Sequence, residues 1–466
     1  MDGKPGDPDG LEVAARELER GGVSLVVGTA LDFAGVIRSK AVPTRRLRSF
    51  AETGMGASPS WVVFCVDNGI AFTPAIGVVG DLRLRLDVRA LRVIGDGMAW
   101  APTSYHEQDG TRSALCARGR LIGVERRAVG AGLAALMGVE LEFTIVAPDG
   151  SRLDQGAWAA YGMRSVVARR AFLVDLARTL EDAGVGAEQI HAEYGTDQFE
   201  VSLAPLPPVA MADTAILARV LIGLVADRHG VAVSFSPLPF AGGSGNGMHL
   251  HLSLARDGHN LFATGSGPYG ITAEGGAAIA GVLDALPALL PVYAGSVVSS
   301  LRLKPGSWSG AAACWGLENR EAALRFLAAT SGNPHGANIE LKIVDPSANL
   351  YLAAIGLLGS ALDGIERALP LPAEVSGDPA QTAESARLRL GAEPSAALDR
   401  LASSPWPRRC SGRTSSPAPS LSVAMSSRRS ATSTPRPSPM LSGSLGAESA
   451  PLSSSPRPSA HKESFR

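Results

Sequence analysis

The chain is poor in cysteine, lysine and aromatic residues. Four cysteines in 466 residues, Cys65, Cys116, Cys314 and Cys410, share no metal-binding spacing and suggest no disulfide framework. A reducing cytoplasm is the default expectation. Five lysines stand against thirty-eight arginines, yet the formal net charge is only −1. That balance gives no electrostatic argument for nucleic-acid or membrane-surface binding, and no nucleic-acid or membrane partner is expected. No apolar run is read as approaching the roughly 20 residues of a membrane helix, and Met1-Asp2-Gly3-Lys4-Pro5 has none of the features of a signal peptide. No internal repeat is visible. Hydrophobic residues at 45 % provide for a sizeable core, and the length exceeds that of most single domains.

Polar groups that interrupt apolar strands are present instead. Gly245-Asn246-Gly247-Met248-His249-Leu250-His251-Leu252-Ser253 carries two histidines at i, i+2, hence on one face of an extended segment. By themselves they fit a metal or phosphate site, or merely a satisfied polar strand. Glu140 and Glu142 share a face of the apolar run Gly138–Phe143. Two neighbouring carboxylates in a core repel and lose hydration, so they call for a cation. In Glu193-Tyr194-Gly195-Thr196-Asp197-Gln198-Phe199-Glu200 a bulge at Gly195–Asp197 would turn both glutamates to one side. Asn338-Ile339-Glu340-Leu341-Lys342 adds a fifth acid on a short strand. Oxygen and nitrogen donors without cysteine suit Mg²⁺ or Mn²⁺ rather than structural zinc. Arg302, Arg320 and Arg325 offer a cationic wall for phosphate or carboxylate oxygens.

In this order these segments resemble the glutamine synthetase family. The series is Glu-x-Glu, Glu-x4-Gln-x-Glu, Gly-Asn-Gly-Met-His-x-His-x-Ser, Arg-Leu-x-Pro-Gly, Glu-Asn-Arg and Glu-x-Lys-x2-Asp-Pro-Ser-Ala-Asn, over about residues 138 to 352. The resemblance implies an α+β fold, with a small N-terminal β-grasp-like domain followed by a catalytic domain of curved antiparallel sheet and surrounding helices. It implies one metal site at Glu142, Glu193 and Glu200 and a second at Glu140, His249 and Glu340. His251 and Ser253 match positions beside the nucleotide phosphates, and Glu188 one beside the sugar. Arg302 matches the arginine that holds the acid substrate's carboxylate, and Arg320 and Arg325 those that face the transferred phosphoryl group. Gly247 and Lys342 fall at the substrate. The cofactors implied are ATP and two or three Mg²⁺ or Mn²⁺ ions; the substrates are a small carboxylate and an amine. Glu193 would take the proton that the amine must lose. Ring assembly, with twelve subunits, is also implied.

Departures from the family pattern shape the expectation. Trp308 stands where the family has the glutamate that closes over ammonium. The ammonium-holding Asp-Gly-Ser-Ser motif is missing, with only Asp67-Asn68-Gly69 near it. An organic amine is therefore the expected acceptor. The alternatives are ammonia, as in glutamine synthesis proper, or an inactive scaffold of the same fold. Lys342 and Asn338 replace arginines common in the family, so the acid need not be glutamate.

Four segments are expected. Residues 1–10 read as a disordered N-terminus. Residues 11–105 read as the small domain, with one helix over Pro43–Thr53 and a strand at Val62–Val66. Residues 111–400 read as the catalytic domain, with helices over Val166–Ala183, Asp213–Gly230 and Ile271–Val292. Residues 401–466 form a Ser/Pro/Arg-rich tail with nine Lys/Arg and two Asp/Glu. Such a composition does not support a packed core, and the loss of apolar periodicity reads as translation out of frame.

Overall fold

A computed structural model describes residues 8–73, 76–153, 158–390 and 394–411. Two sheets organise them. The smaller contains β1 (Leu25–Leu31), β2 (Ile37–Pro43), β3 (Met55–Ala57), β4 (Leu82–Leu86), β5 (Arg92–Gly95) and β6 (Met98–His106). β1 lies between antiparallel β2 and parallel β6, and β4 extends the sheet on the far side of β6. The helix Leu47–Glu52 buries Leu47 and Phe50. A Cβ at Gly28 on β1 would lie 2.4 Å from the Phe50 ring, so that ring approaches bare backbone.

The larger sheet contains β7 (Leu133–Val146), β8 (Ala187–Ala192), β9 (Gln198–Leu206), β10 (Ala232–Ser234), β11 (Met248–Arg256), β12 (His259–Asn260), β13 (Ala312–Leu317), β14 (Ala322–Leu327) and β15 (Asn338–Leu341). Its main order is β13-β14-β15-β11-β7-β9-β8. Every pairing in it is antiparallel except β13–β14, which is parallel. Long helices, Pro208–Arg228, Ala273–Tyr293 and Leu350–Glu366, bury Ala/Leu/Ile faces in the core. The first two are long and apolar enough to cross a membrane by length and composition, contrary to the reading of the sequence. Most of each apolar window is buried inside the protein, 61 % and 78 % respectively, as befits core helices.

Polar contacts join the sheets. Arg118 is buried and reaches Asp213 at 2.7 Å and Asp87 at 2.9 Å. The Tyr351 hydroxyl donates to Asp213 at 2.7 Å. The Asn349 amide donates to the Asp32 carbonyl at 2.9 Å. Gly35, at φ +78°, lies so close to Ser347 and Ala348 that a Cβ would strike their carbonyl oxygens at 2.7 Å.

Several local expectations change. A helix spans Pro8–Arg20, so residues 8–10 belong to it, while 1–7 lie outside the described residues. Pro43–Thr53 divides into a short turn, Thr44–Arg46, and the helix Leu47–Glu52. Val62–Val66 is not a strand. Pro59 starts a 3₁₀ turn that runs through Val63, and only Phe64 pairs, with Ile70. Val166–Ala183 is two helices, Met163–Ala168 and Arg170–Asp182, broken where Arg169 leaves helical geometry at φ −111°, ψ 15°. The packed chain also continues past the start of the expected tail. Helices Pro394–Ser403 and Trp406–Ser411 bring Leu398, Leu401, Trp406 and Cys410 into the core. Residues 412–466 lie outside the described residues.

Candidate active site

Strand register builds the site. His249 on β11 stands opposite Glu140 on β7. Glu142 on β7 stands opposite Glu200 on β9, which in turn faces His191 on β8. His251 on β11 stands opposite Glu340 on β15, which faces Arg325 on β14. Alternation places these side chains on one face, and directly opposed residues have close Cβ atoms.

The distances match that register. His249 Nδ1 lies 3.0 Å from Glu140 Oε2 and 3.4 Å from Glu340 Oε1, and its Nε2 lies 3.7 Å from Glu142 Oε1. His251 Nε2 lies 3.3 Å from Glu140 Oε1, and His251 Nδ1 is 2.9 Å from Asn338 Oδ1. Three ligand groups have donor atoms within 4.8 Å of one another: Glu140, His249 and Glu340; Glu142, Glu200 and His249; His191, Glu193 and Glu200. The first coincides with the second metal set expected from the sequence. The first expected set, Glu142, Glu193 and Glu200, is divided between the other two groups, which overlap at Glu200.

Glu193 joins the cluster by a different route from the one expected. The stretch Glu193–Glu200 is not a bulged strand but a hairpin turn between β8 and β9. Glu193 N donates to Gln198 O at 2.8 Å, and Asp197 takes φ +56°. The reversal brings both glutamates to the same end of the sheet. Arg169 holds the Asp197 carboxylate at 2.8 Å. The Gln198 amide donates to Glu142 at 2.9 Å, to Gly245 O at 2.8 Å and to Asn246 Oδ1 at 3.0 Å, tying the glycine-rich loop to the carboxylates.

The electrostatics indicate a cation deficit. Burial, and then the charges of Glu140, Glu142 and Glu193, push the Glu200 carboxyl well above its ordinary range. Burial pushes Glu140 the same way, but the His249 and His251 imidazoles outweigh it and hold it well below. Burial is likewise outweighed at Glu340, where Lys342 and the two histidines hold the carboxyl at about 2. The crowded carboxylates thus disfavour ionisation at Glu200, and a bound cation would offset them. Gly247 completes a cradle: a Cβ there would lie 2.4 Å from His249 Nε2 and 2.8 Å from Glu142 Oε1. Carboxylate and imidazole donors around a bare-backbone cradle fit a hard divalent cation.

The cationic residues differ in their engagement. Arg302 is buried, and its guanidinium meets His249 Nε2 at 3.3 Å and donates to Lys342 O at 3.1 Å. Arg325 reaches Glu340 at 3.1 Å and also pairs with Glu318. Lys342 Nζ lies 3.1 Å from Glu340 Oε1 and is buried. Arg320 is exposed, and its guanidinium lies over the Trp308 ring at 5.8 Å. Trp308 is itself 57 % exposed, so it is not a packing tryptophan within this chain. Its backbone N–H donates to Glu321 at 2.6 Å. Ser253 Oγ donates to Ala337 O at 2.9 Å. Glu188 is exposed on β8, outside the ligand groups.

Sequence reasoning missed His191 and Tyr161. His191 Nε2 lies 2.8 Å from Glu193 Oε1, and that bond raises the affinity of the ring for a proton. The i, i+2 spacing of His191 and Glu193 is the same signal that marked Glu140 and Glu142. The Tyr161 ring stacks at 6.2 Å on His191, the histidine that holds Glu193. Nothing in the sequence near Tyr161 indicated this.

The family model described as "Glutamine synthetase, catalytic domain" matches residues 114–413. The gamma-glutamylpolyamine synthetase GlnA3 of Streptomyces coelicolor is 40 % identical over 405 residues, covering 84 % of this chain and 85 % of that one. A glutamine synthetase of Thermococcus kodakarensis is 33 % identical over 278 residues, 59 % of this chain and 61 % of that one. Among solved structures, a novel glutamine synthase homolog superposes with TM-score 0.78 at 31 % identity, covering 88 % of this chain and 94 % of that one. A GmaS/ADP complex superposes with TM-score 0.79 at 25 % identity, covering 90 % and 95 %. The chain belongs to the glutamine synthetase family.

Proposed function

We propose that this protein is an ATP-dependent ligase that joins the side-chain carboxylate of glutamate, or of a related acid, to an organic amine. The observation that carries this reading is the in-register face of Glu140, Glu142, Glu200, His249 and Glu340, a donor set suited to divalent cations that hold a triphosphate. Mg²⁺ or Mn²⁺ bound there would neutralise phosphate oxygens and stabilise charge during phosphoryl transfer. The acid's carboxylate would attack the γ-phosphate and expel ADP, giving an acyl phosphate; the amine would then attack its carbonyl carbon and expel inorganic phosphate.

The chain's own residues supply the remainder. Arg302 would hold the acid substrate, Lys342 would set the charge at the acid end through Glu340, and the Gly247 backbone would line that pocket. Arg320 and Arg325 would stabilise the transferring phosphoryl group. His251, Ser253 and Glu188 would flank the nucleotide. Glu193 would accept the proton that the ammonium must lose. Its carboxyl favours ionisation, because bonds from His191 and the Tyr194 N–H outweigh the opposing effect of burial.

Trp308 supports an organic amine over ammonia. An exposed indole gains from each methylene it covers and attracts ammonium to its face. The relative named for glutamylating polyamines points the same way. The reading includes a small domain at 11–105 and a catalytic domain at 111–400, assembled into rings of subunits, with twelve subunits in all. It also includes the expected out-of-frame tail at 401–466, of which residues up to 411 pack into the core; resequencing would test it. The decisive experiment is phosphate release from MgATP with glutamate and either ammonia or a series of mono-, di- and polyamines. Turnover that rises with amine length is expected; a preference for ammonia over every amine would overturn the acceptor assignment.

A further inference from the structure

Resting on that reading of the acceptor site, we infer that Arg320 is a gate: it occupies the face of Trp308 until a phosphoryl group draws it away, and the amine's alkyl-ammonium chain then takes its place.

The three arginines of the site are not equivalent. Arg302 is buried and held by His249 and by the Lys342 carbonyl. Arg325 is tied to Glu340 and Glu318. Arg320 is exposed and makes no hydrogen bond or ion pair among the described residues; its guanidinium lies on the Trp308 ring at 5.8 Å. Arg320 therefore covers the indole face with no competing anchor among the described residues.

The loop that presents the indole is held in place. Glu321 accepts from Gly306 N at 3.1 Å and from Trp308 N at 2.6 Å, and Trp308 has a left-handed φ of +51°. The tryptophan is thus the fixed partner and the arginine the movable one. A guanidinium on an exposed ring is held weakly, whereas a charge-assisted bidentate bond to phosphate is stronger. When phosphate arrives, Arg320 should leave. The vacated face is then an apolar, π-rich seat for a cation. While Arg320 remains, the same face is blocked and locally positive, which disfavours an ammonium.

The two ligands should then assist one another, and by linkage equally in both directions. Releasing an exposed cation–π contact corresponds to a coupling of about two- to five-fold. The test is titration calorimetry on the full chain with 1,4-diaminobutane, with and without Mg²⁺ and a non-hydrolysable ATP analogue. In the wild type the diamine should bind about two- to five-fold tighter with nucleotide present. In Arg320→Ala it should bind tightly without nucleotide, and the coupling should vanish. In Trp308→Ala it should bind weakly in both states. Both side chains are exposed, so both variants should fold, as circular dichroism would verify. Equal diamine affinity in the two wild-type states, or full coupling in Arg320→Ala, overturns the gate alone. No diamine binding in any state overturns the gate and the organic-amine assignment together.

Discussion

His249 and Glu140 stand directly opposite each other on β11 and β7, with Nδ1 3.0 Å from Oε2. Ladder register, not loop geometry, sets that distance. A one-residue slip of either strand would send one of the two side chains to the other face of the sheet. The ligand cluster is therefore as rigid as the sheet that carries it, and changes to its members should affect binding more than folding.

Removing a carboxylate should show this directly. Glu142→Ala and Glu193→Ala should each abolish turnover and weaken divalent-cation binding, measured by calorimetry with Mg²⁺ or Mn²⁺. Thermal midpoints should stay near wild type or rise, because each change relieves carboxylate repulsion. Normal Mg²⁺-dependent turnover in either variant would refute the ligand assignment.

Gly247→Ala should resemble those variants without removing any donor. The added Cβ would fall 2.4 Å from His249 Nε2 and 2.8 Å from Glu142 Oε1. Cation affinity should drop by at least about ten-fold, roughly 1.4 kcal/mol, while circular dichroism remains that of the wild type.

Acceptor choice should follow Trp308. Each covered methylene is worth about 0.8 kcal/mol, or roughly four-fold in kcat/KM, until the pocket is filled. Trp308→Glu should flatten that length dependence and raise turnover with ammonia. An unchanged amine series in the variant would detach Trp308 from specificity.

The joint between the sheets should be sensitive to acid. Burial raises the Asp87 carboxyl, but bonds and charges from Arg89 and Arg118 outweigh this and hold it at about 2, below its usual 3.8. A depressed folded-state value means that the stabilisation is complete above about pH 4 and is lost as pH falls towards 2. Asp87→Asn should therefore be less stable than wild type at pH 6, by roughly 1–2 kcal/mol after allowance for solvent screening. The gap should close between about pH 4 and 2, as read from urea midpoints.

Arg118→Met should cost more, about 3–5 kcal/mol, since it leaves Asp213 buried beside Asp87 without its cation. Equilibrium urea unfolding at neutral pH measures this.

Much of the site was legible because its ligands sit at strand spacing within apolar runs. Glu140 with Glu142 and His249 with His251 needed only alternation to share a face. Harder to read were features set by turns and by distant pairing. The reversal at Gly195–Asp197 resembles a bulge in sequence, because both use residues that tolerate unusual backbone angles. Val62–Val66 has strand composition, yet Pro59 and the Ser58 cap commit it to a 3₁₀ turn. Tyr161 stacks on His191 from a separate segment, so no local pattern could announce it.

Cys410 lies against Gly359 so closely that a Cβ on the glycine would meet its backbone at 2.7 Å, and Trp406 beside it is almost wholly covered. The helix Leu350–Glu366 thus has its outer side sealed by a short helix lying beyond the point where composition alone would place the end of the fold. For anyone trimming this gene, the place of the cut matters. Stopping after residue 411 preserves the seal, whereas stopping at the change of composition near Ser403 strips a tryptophan and a cysteine from the interior and opens Gly359 to water.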